Sequence, residues 1–300
     1  MHRRSFLRYS TLITGAALAA QKNVLAQIFR TTAYNIQMLR GNVGIFTERG
    51  GTIGFGISNE GLVVIDAQFP DTAAHFIDEA KKKNNAPFRY LLNTHHHGDH
   101  TAGNIAFKGA VEHVLAHENS LANQKRVAEQ QNGLDKVLLP DTTFQQDTKV
   151  KTGKIKIKGF YYGPGHTNGD VVYHFEEENI VHMGDLVFNR RHPFVDRSAG
   201  ASIRNWITVL EKTRKEFNNK TMYVFGHSLE NYPVTGTADD LLKFQDYLDK
   251  VLRFTEGEIK RGVSKEEFIK NTSIPGVTEW TGDGIQRPLT AAYEELTAGK

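Results

Sequence analysis

"LLNTHHHGDHTAGN", residues 91–104, sets four histidines and an aspartate into the six positions from His95 to His100. The apolar stretch "FRYLLNT" runs straight into them. A polar loop in solvent accounts for one or two histidines, but not for four placed directly after a buried strand. A low-complexity histidine tract has no use for Gly98 or Asp99. Metal coordination has a use for such a cluster, because neutral imidazole and carboxylate are ligands for zinc and similar cations. In extended backbone alternate side chains share a side, so His95 and His97 can meet one ion while His96 points away. A tight bend at Gly98 then turns Asp99 and His100 toward a second position close by.

Three later residues stand in similar surroundings, each where an apolar run gives way to a glycine-containing turn. His166 lies in "GPGHTNGD", Asp185 in "HMGDLVF" and His227 in "FGHS". With the H-x-H-x-D-H cluster, this order resembles the metallo-β-lactamase superfamily over roughly residues 33–230. The resemblance implies that His95, His97 and His166 bind one ion, that Asp99, His100 and His227 bind a second, and that Asp185 bridges the two. It also implies a bridging hydroxide as nucleophile, with Asp99 in a catalytic role orienting it. Two zinc ions are expected from a donor set of nitrogen and oxygen without thiolate, and iron or manganese is compatible with the same donors. Where β-lactamases of the superfamily commonly carry cysteine or serine, this chain has Asp185. It thus resembles the glyoxalase II-like thioesterase, lactonase and phosphodiesterase branches, and exported metallohydrolases associated with quinoprotein systems. The expected activity is hydrolysis of a small ester, thioester, lactone or amide. Alternatives are a mononuclear iron oxidoreductase of the persulfide dioxygenase type, β-lactamase activity, or a metal-binding protein without catalysis.

Working outward, residues 33–66 alternate short β-like runs with glycine turns, and "DTAAHFIDEAKKKN" follows as an amphipathic helix with Asp71 as its N-cap. Residues 111–116 read as a strand and 117–131 as a helix. "KIKIKGFYYG" alternates with period two, and "DVVYHFEEENIVHMGDLVF" reads as a hairpin whose second strand ends at Asp185. A helix is expected over 203–217, a strand "MYVFGHS" ending at His227, then helices over 237–261, 264–271 and 289–297. Strands lead and helices follow in both halves, which predicts an α/β four-layer αββα sandwich with a C-terminal helical extension.

Other residues carry weaker readings. Asp66, at the end of "LVVID", is expected to be a buried carboxylate bonded to the histidine loop. Thr94, Thr101 and Asn104 flank that loop and can orient it or simply form its turns. His113, His117, His174, His182 and His192 are isolated and read as structural or surface residues. Arg190, Arg191 and Arg197 can hold an anionic substrate group or make ordinary salt links, and Phe188 and Phe194 can line a pocket or pack in the core.

The chain has 300 residues, 39% hydrophobic and 24% charged, which suits a soluble domain with a large core. The first 26 residues do not read as fold. Arg3, Arg4 and Arg8 precede the short apolar stretch "TLITGAALAA" and a small-x-small site at Ala26, as in a twin-arginine export signal. Residues 27–300 are then the catalytic domain, in the periplasm or secreted. Removing Arg3, Arg4, Arg8 and Lys22, with no acid, turns the formal charge from +3 to −1. No basic footprint for nucleic acid is left, and no segment is long and apolar enough to span a membrane. Cys is absent, which excludes disulfides, thiolate metal sites and a cysteine nucleophile. The partner is a small-molecule substrate.

Overall fold

The computed structural model describes residues 34–298, so the export-signal pattern of residues 1–26 lies outside the described residues. The chain forms two main sheets. Strands β1 (Asn35–Arg40), β2 (Val43–Thr47), β3 (Ile53–Ser58), β4 (Gly61–Ile65), β5 (Phe88–Leu92), β6 (Val111–His117) and β7 (Thr142–Phe144) pair in sequence order. The first four are antiparallel neighbours, and β4 to β7 run parallel. The second sheet has the order β15-β13-β11-β10-β9-β8. Its members are β8 (Thr148–Thr152), β9 (Ile155–Phe160), β10 (Val172–Phe175), β11 (Ile180–His182), β13 (Met222–Val224) and β15 (Thr235–Gly236). A two-strand ladder joins β12 (Phe188–Asn189) to β14 (His227–Ser228).

Every residue of "GLVVI" in β4 is buried, as a strand covered on both faces must be. Val63 and Ile65 face the second sheet with Val43, Ile45, Ile157, Tyr173 and Phe175, and this is the core between the sheets. Leu62 and Val64 face the other way, toward Phe76 and Ile77 of α1 (Pro70–Lys83). Behind the second sheet, Trp206 and Leu210 of α4 (Ile203–Glu216) pack with Phe244, Tyr247 and Leu248 of α5 (Ala238–Lys260). Three cores separated by two sheets are the expected four-layer αββα arrangement. Among the described residues the remaining α-helices are α2 (Gly98–Thr101), α3 (Glu118–Gln130), α6 (Lys265–Phe268) and α7 (Gln286–Thr297).

Helix α1 begins two residues earlier than an N-cap at Asp71 predicts. Asp71 is not its N-cap: Phe69 takes that place, with Pro70 at the first helical position. The Thr72 hydroxyl accepts from Phe69 N–H at 3.2 Å, and Asp71 instead pairs with Arg49 at 2.5 Å. Two strand ends are also corrected. β11 stops at His182, and Asp185 sits in a 3-10 turn over Gly184–Leu186. β13 stops at Val224, and His227 opens the separate strand β14.

These strand ends place the site. β4 and β5 are parallel in one sheet, β11 and β13 in the other, and residues leaving their carboxyl ends meet along one edge. Backbone bonds stitch that edge together. Thr52 N–H donates to Gly226 O at 3.0 Å, Gly226 N–H to Gly184 O at 2.7 Å, and Val171 N–H to Thr94 O at 2.8 Å.

Candidate metal centre

The structure brings all seven expected ligand residues together. In one group, donor atoms of His95, His97, His166 and Asp185 lie within 4.8 Å of one another, and in a second so do those of Asp99, His100 and His227. Asp185 faces both groups. Its Oδ2 is 3.4 Å from His166 Nε2 and 3.9 Å from His95 Nε2, while its Oδ1 is 3.0 Å from His100 Nε2 and 3.5 Å from His227 Nε2. Asp99 Oδ2 closes the second group, 3.0 Å from His227 Nε2.

Four imidazoles are fixed from outside by their other nitrogen. His166 Nδ1–H donates to Phe194 O at 2.7 Å, and His97 Nε2–H to Asp196 Oδ2 at 2.9 Å. His100 Nδ1–H donates to Asp66 Oδ2 at 2.7 Å. The Thr94 hydroxyl donates to Asp66 at 2.8 Å and so accepts from His95 Nδ1–H at 3.0 Å. In its neutral form each ring therefore turns a lone pair inward. His97 Nδ1 and His166 Nε2 are then two acceptors facing each other across 2.8 Å, an arrangement that a shared cation reconciles. His95 Nε2 and Asp185 Oδ1 are buried without a hydrogen-bond partner. Such orphaned atoms are costly unless something else binds them. The residues fit divalent cations.

Electrostatics divides the groups. Burial, helped by neighbouring histidines, pushes His95 well down and His166 down to about 3, so both rings stay neutral. Burial acts the same way on His100 and His227, but Asp185 and its fellow carboxylates outweigh it and raise both. Burial opposes ionisation of Asp99 as well. His100 and His227 overcome it and bring the carboxyl down to about 2.

Glycine makes the approach possible at two points. A Cβ at Gly226 would fall 2.0 Å from Asp185 Oδ1, and one at Gly51 would fall 2.1 Å from His100 Cε1. Gly98 has no such role: it opens the single turn of α2, and a Cβ there would meet nothing within 4 Å. The bend expected of Gly98 is a helix start that other residues can make.

Asp66 is the buried carboxylate expected, bonded to the Thr94 amide at 2.7 Å as well as to His100. Thr101 Oγ1 donates to the His97 carbonyl at 3.0 Å, and Asn104 pairs with Asn93 below the loop. His96 turns from both groups, with Nε2 3.4 Å from Asp196. His182 donates to Thr52 O at 3.0 Å and steadies the neighbouring edge. His117 caps α3, His192 bonds the Tyr247 hydroxyl, His113 lies near Asp141, and His174 packs on Phe217.

Two of the three arginines do not face a ligand. Arg190 is buried between Glu279 and Asp240 with its guanidinium over Trp280, and Arg197 bonds Glu295 and the Ala201 carbonyl. Arg191 is exposed on a cleft of about 330 Å³ that also carries Arg287, Glu230 and Asp283. Phe188 is buried, whereas Phe194 is 42% exposed with its ring 5.3 Å from that of His97. Sequence reading missed Asp196 and the Phe194 carbonyl. The signal available was the run "FVDRSAG" after Asp185, in which an acid and a capping turn are both visible.

Comparison with known proteins places the chain in a family. The family model described as the metallo-beta-lactamase superfamily matches residues 48–227. A metallo-beta-lactamase type 2 of Bacillus cereus is 26% identical over 225 residues, covering 71% of this chain and 85% of that protein. A hydroxyacylglutathione hydrolase of Francisella tularensis subsp. novicida is 34% identical over 132 residues, covering 42% of this chain and 43% of that protein. The solved metallo-beta-lactamase from Pontibacter korlensis shares the fold with a TM-score of 0.62 at 20% identity, over 72% of this chain and 99% of that one. On the family match over more than half its length, the chain belongs to the metallo-β-lactamase superfamily and is a metal-dependent hydrolase.

Proposed function

We propose that the chain is a dinuclear zinc hydrolase of a small ester, thioester, lactone or amide. His95, His97 and His166 would hold one zinc and Asp99, His100 and His227 the other, with Asp185 bridging. The observation that carries this reading is the split of one carboxylate, Oδ2 toward the first group and Oδ1 toward the second. A mononuclear iron oxygenase has work only for the first group, leaving Asp99, His100 and His227 assembled without a task.

Bound cations supply Lewis acidity, which makes water nucleophilic near neutral pH and polarises a scissile carbonyl. The remaining tasks fall to the protein. Asp99 stays ionised, and its side chain is 32% exposed against 4% for Asp185, so it faces the incoming water. It accepts a hydrogen bond from that water, orients it, and can relay the proton to the leaving atom. Neutral His95 and His166 offer lone pairs rather than competing protons. Phe194 borders the first group and offers an exposed apolar face to the substrate.

The test is metal analysis of the full chain, followed by an ester, thioester, lactone, β-lactam and phosphodiester panel with a chelator control. Two zinc ions per chain and chelator-sensitive hydrolysis of an ester, thioester, lactone or amide bond are expected. One iron per chain, or a zinc-loaded protein that hydrolyses nothing, overturns the proposal.

A further inference from the structure

Glu295 lies on α7, beyond the residues 48–227 that the family model matches. Its side chain is only 9% exposed, and both oxygens are engaged. Oε1 accepts from the Ser202 hydroxyl at 3.0 Å and from Arg204 N–H at 3.1 Å. Oε2 accepts from Ile203 N–H at 2.7 Å and from Arg197 Nη1 at 3.3 Å. Ile203 and Arg204 are the first residues of α4, so the carboxylate also meets the positive end of that helix.

The start of α4 is in turn wired to the centre. Ser202 N–H donates to Gly165 O at 3.1 Å, next to His166, and Asn205 Nδ2 to Pro164 O at 2.6 Å. Trp206 Nε1 donates to Leu186 O at 3.0 Å, one residue past Asp185. The loop leading into the helix is tied to itself and to the ligands. Ala201 N–H donates to Asp196 O at 3.0 Å, and Asp196 N–H to His166 O at 3.1 Å. This loop carries the Phe194 carbonyl and the Asp196 carboxylate, the outward partners of His166 and His97.

We propose that Glu295 is a positioning residue for the metal centre: it pins the start of α4 and, through it, the 194–202 loop that aims His97 and His166 at the first ion. The inference rests on the dinuclear reading above. It makes the C-terminal extension part of the metal site, although no residue of that extension is a ligand.

The test titrates zinc alone into metal-stripped full-length protein, in competition with a chromophoric chelator, with thermal melting in parallel. Wild type, Glu295→Ala, Glu295→Gln and Glu294→Gln are compared. Glu294 is on the same helix and pairs with Lys265 at 2.5 Å, so it reports on general damage to α7. Direct partners of metal-binding histidines are worth about 10- to 100-fold in metal affinity. One step further out, Glu295→Ala is expected to weaken one of two zinc sites about tenfold and to spare the other. Glu295→Gln keeps one acceptor oxygen and falls between. Glu294→Gln leaves both sites unchanged. Adding Asp196→Asn to Glu295→Ala gives less than the sum of the two losses, because both act through one loop. Wild-type affinity at both sites in Glu295→Ala, or in Glu295→Gln should the alanine variant not fold, overturns the inference, as does an equal loss in Glu294→Gln. A wild type that binds no zinc overturns the dinuclear reading instead.

Discussion

The two halves of the candidate centre use the same residue types, yet His95 and His166 in one and His100 and His227 in the other are pushed in opposite directions. In the first, His95 and His166 are buried beside other histidines and lean outward on a hydroxyl and a carbonyl, so burial wins and they stay neutral. In the second, Asp66, Asp99 and Asp185 surround His100, and Asp99 and Asp185 face His227, so the carboxylates win. The first half is a finished donor set. In the second, the carboxylates that would favour a cation favour protons on the same nitrogens, so the two compete there.

Asp185 is what the halves share, so Asp185→Ala has the largest expected effect. Under the dinuclear reading both zinc sites weaken, and kcat/KM falls about a thousandfold, several kcal/mol at about 1.4 kcal/mol per tenfold. Metal content and steady-state rates check this. A variant that keeps two zinc ions and full rate would show that the halves are not joined through this carboxylate.

A crossover separates the halves next. Asp196→Asn removes the outward acceptor of His97, and Asp66→Asn that of His100. Each is expected to weaken a different zinc site by about 10- to 100-fold. Competition titrations read both sites at once. If the two variants weaken the same site, the division drawn here is wrong.

Acidification gives a third contrast. His100 and His227 have raised values, so their protonated forms persist as pH rises from the ordinary histidine range and compete with metal there. His95 and His166 have lowered values, so they remain available donors as pH falls below that range. Zinc affinity of the second half should therefore fall more steeply than that of the first between about pH 7.5 and 5.5. Asp99, at about 2, stays ionised throughout that window and adds nothing to the difference. Calorimetry in buffers of different ionisation enthalpy counts the protons released. Equal release for both zinc ions would remove the contrast.

Sequence made the candidate ligands visible and left their supports hidden, for a physical reason. Ligand residues must be particular types at the ends of strands, and the polypeptide shows both features: four histidines after "FRYLL", an aspartate after "NIVHMG". Supports need only an acceptor in the right place, and any backbone carbonyl will serve, as Phe194 does for His166. Asp66 was legible because it directly follows a buried strand, where a carboxylate without a partner is too costly to keep. Glu295 lies 91 to 93 residues from its backbone and hydroxyl partners, and nothing local marks it. The two readings of the arginines in the 190–197 loop stayed open for a related reason: charge is visible in a sequence, whereas the acids that neutralise Arg190 are the distant Asp240 and Glu279.

The smallest expected effect falls on the aromatic rim. Phe188 is buried and stacks on His227 of the second half, rings 5.4 Å apart at 23°. Truncating it opens a core cavity costing about 3–5 kcal/mol, which would obscure any effect on the site. Phe194, beside the first half, is exposed and holds His166 by its carbonyl, which every residue carries. Phe194→Ala should therefore leave stability within about 0.5 kcal/mol and zinc affinity unchanged. Only KM should move, rising severalfold for substrates with an apolar acyl group while kcat stays the same. A loss of zinc affinity would mean that the ring, not the carbonyl, holds the loop against His97, and the first half would then depend on packing as the second does.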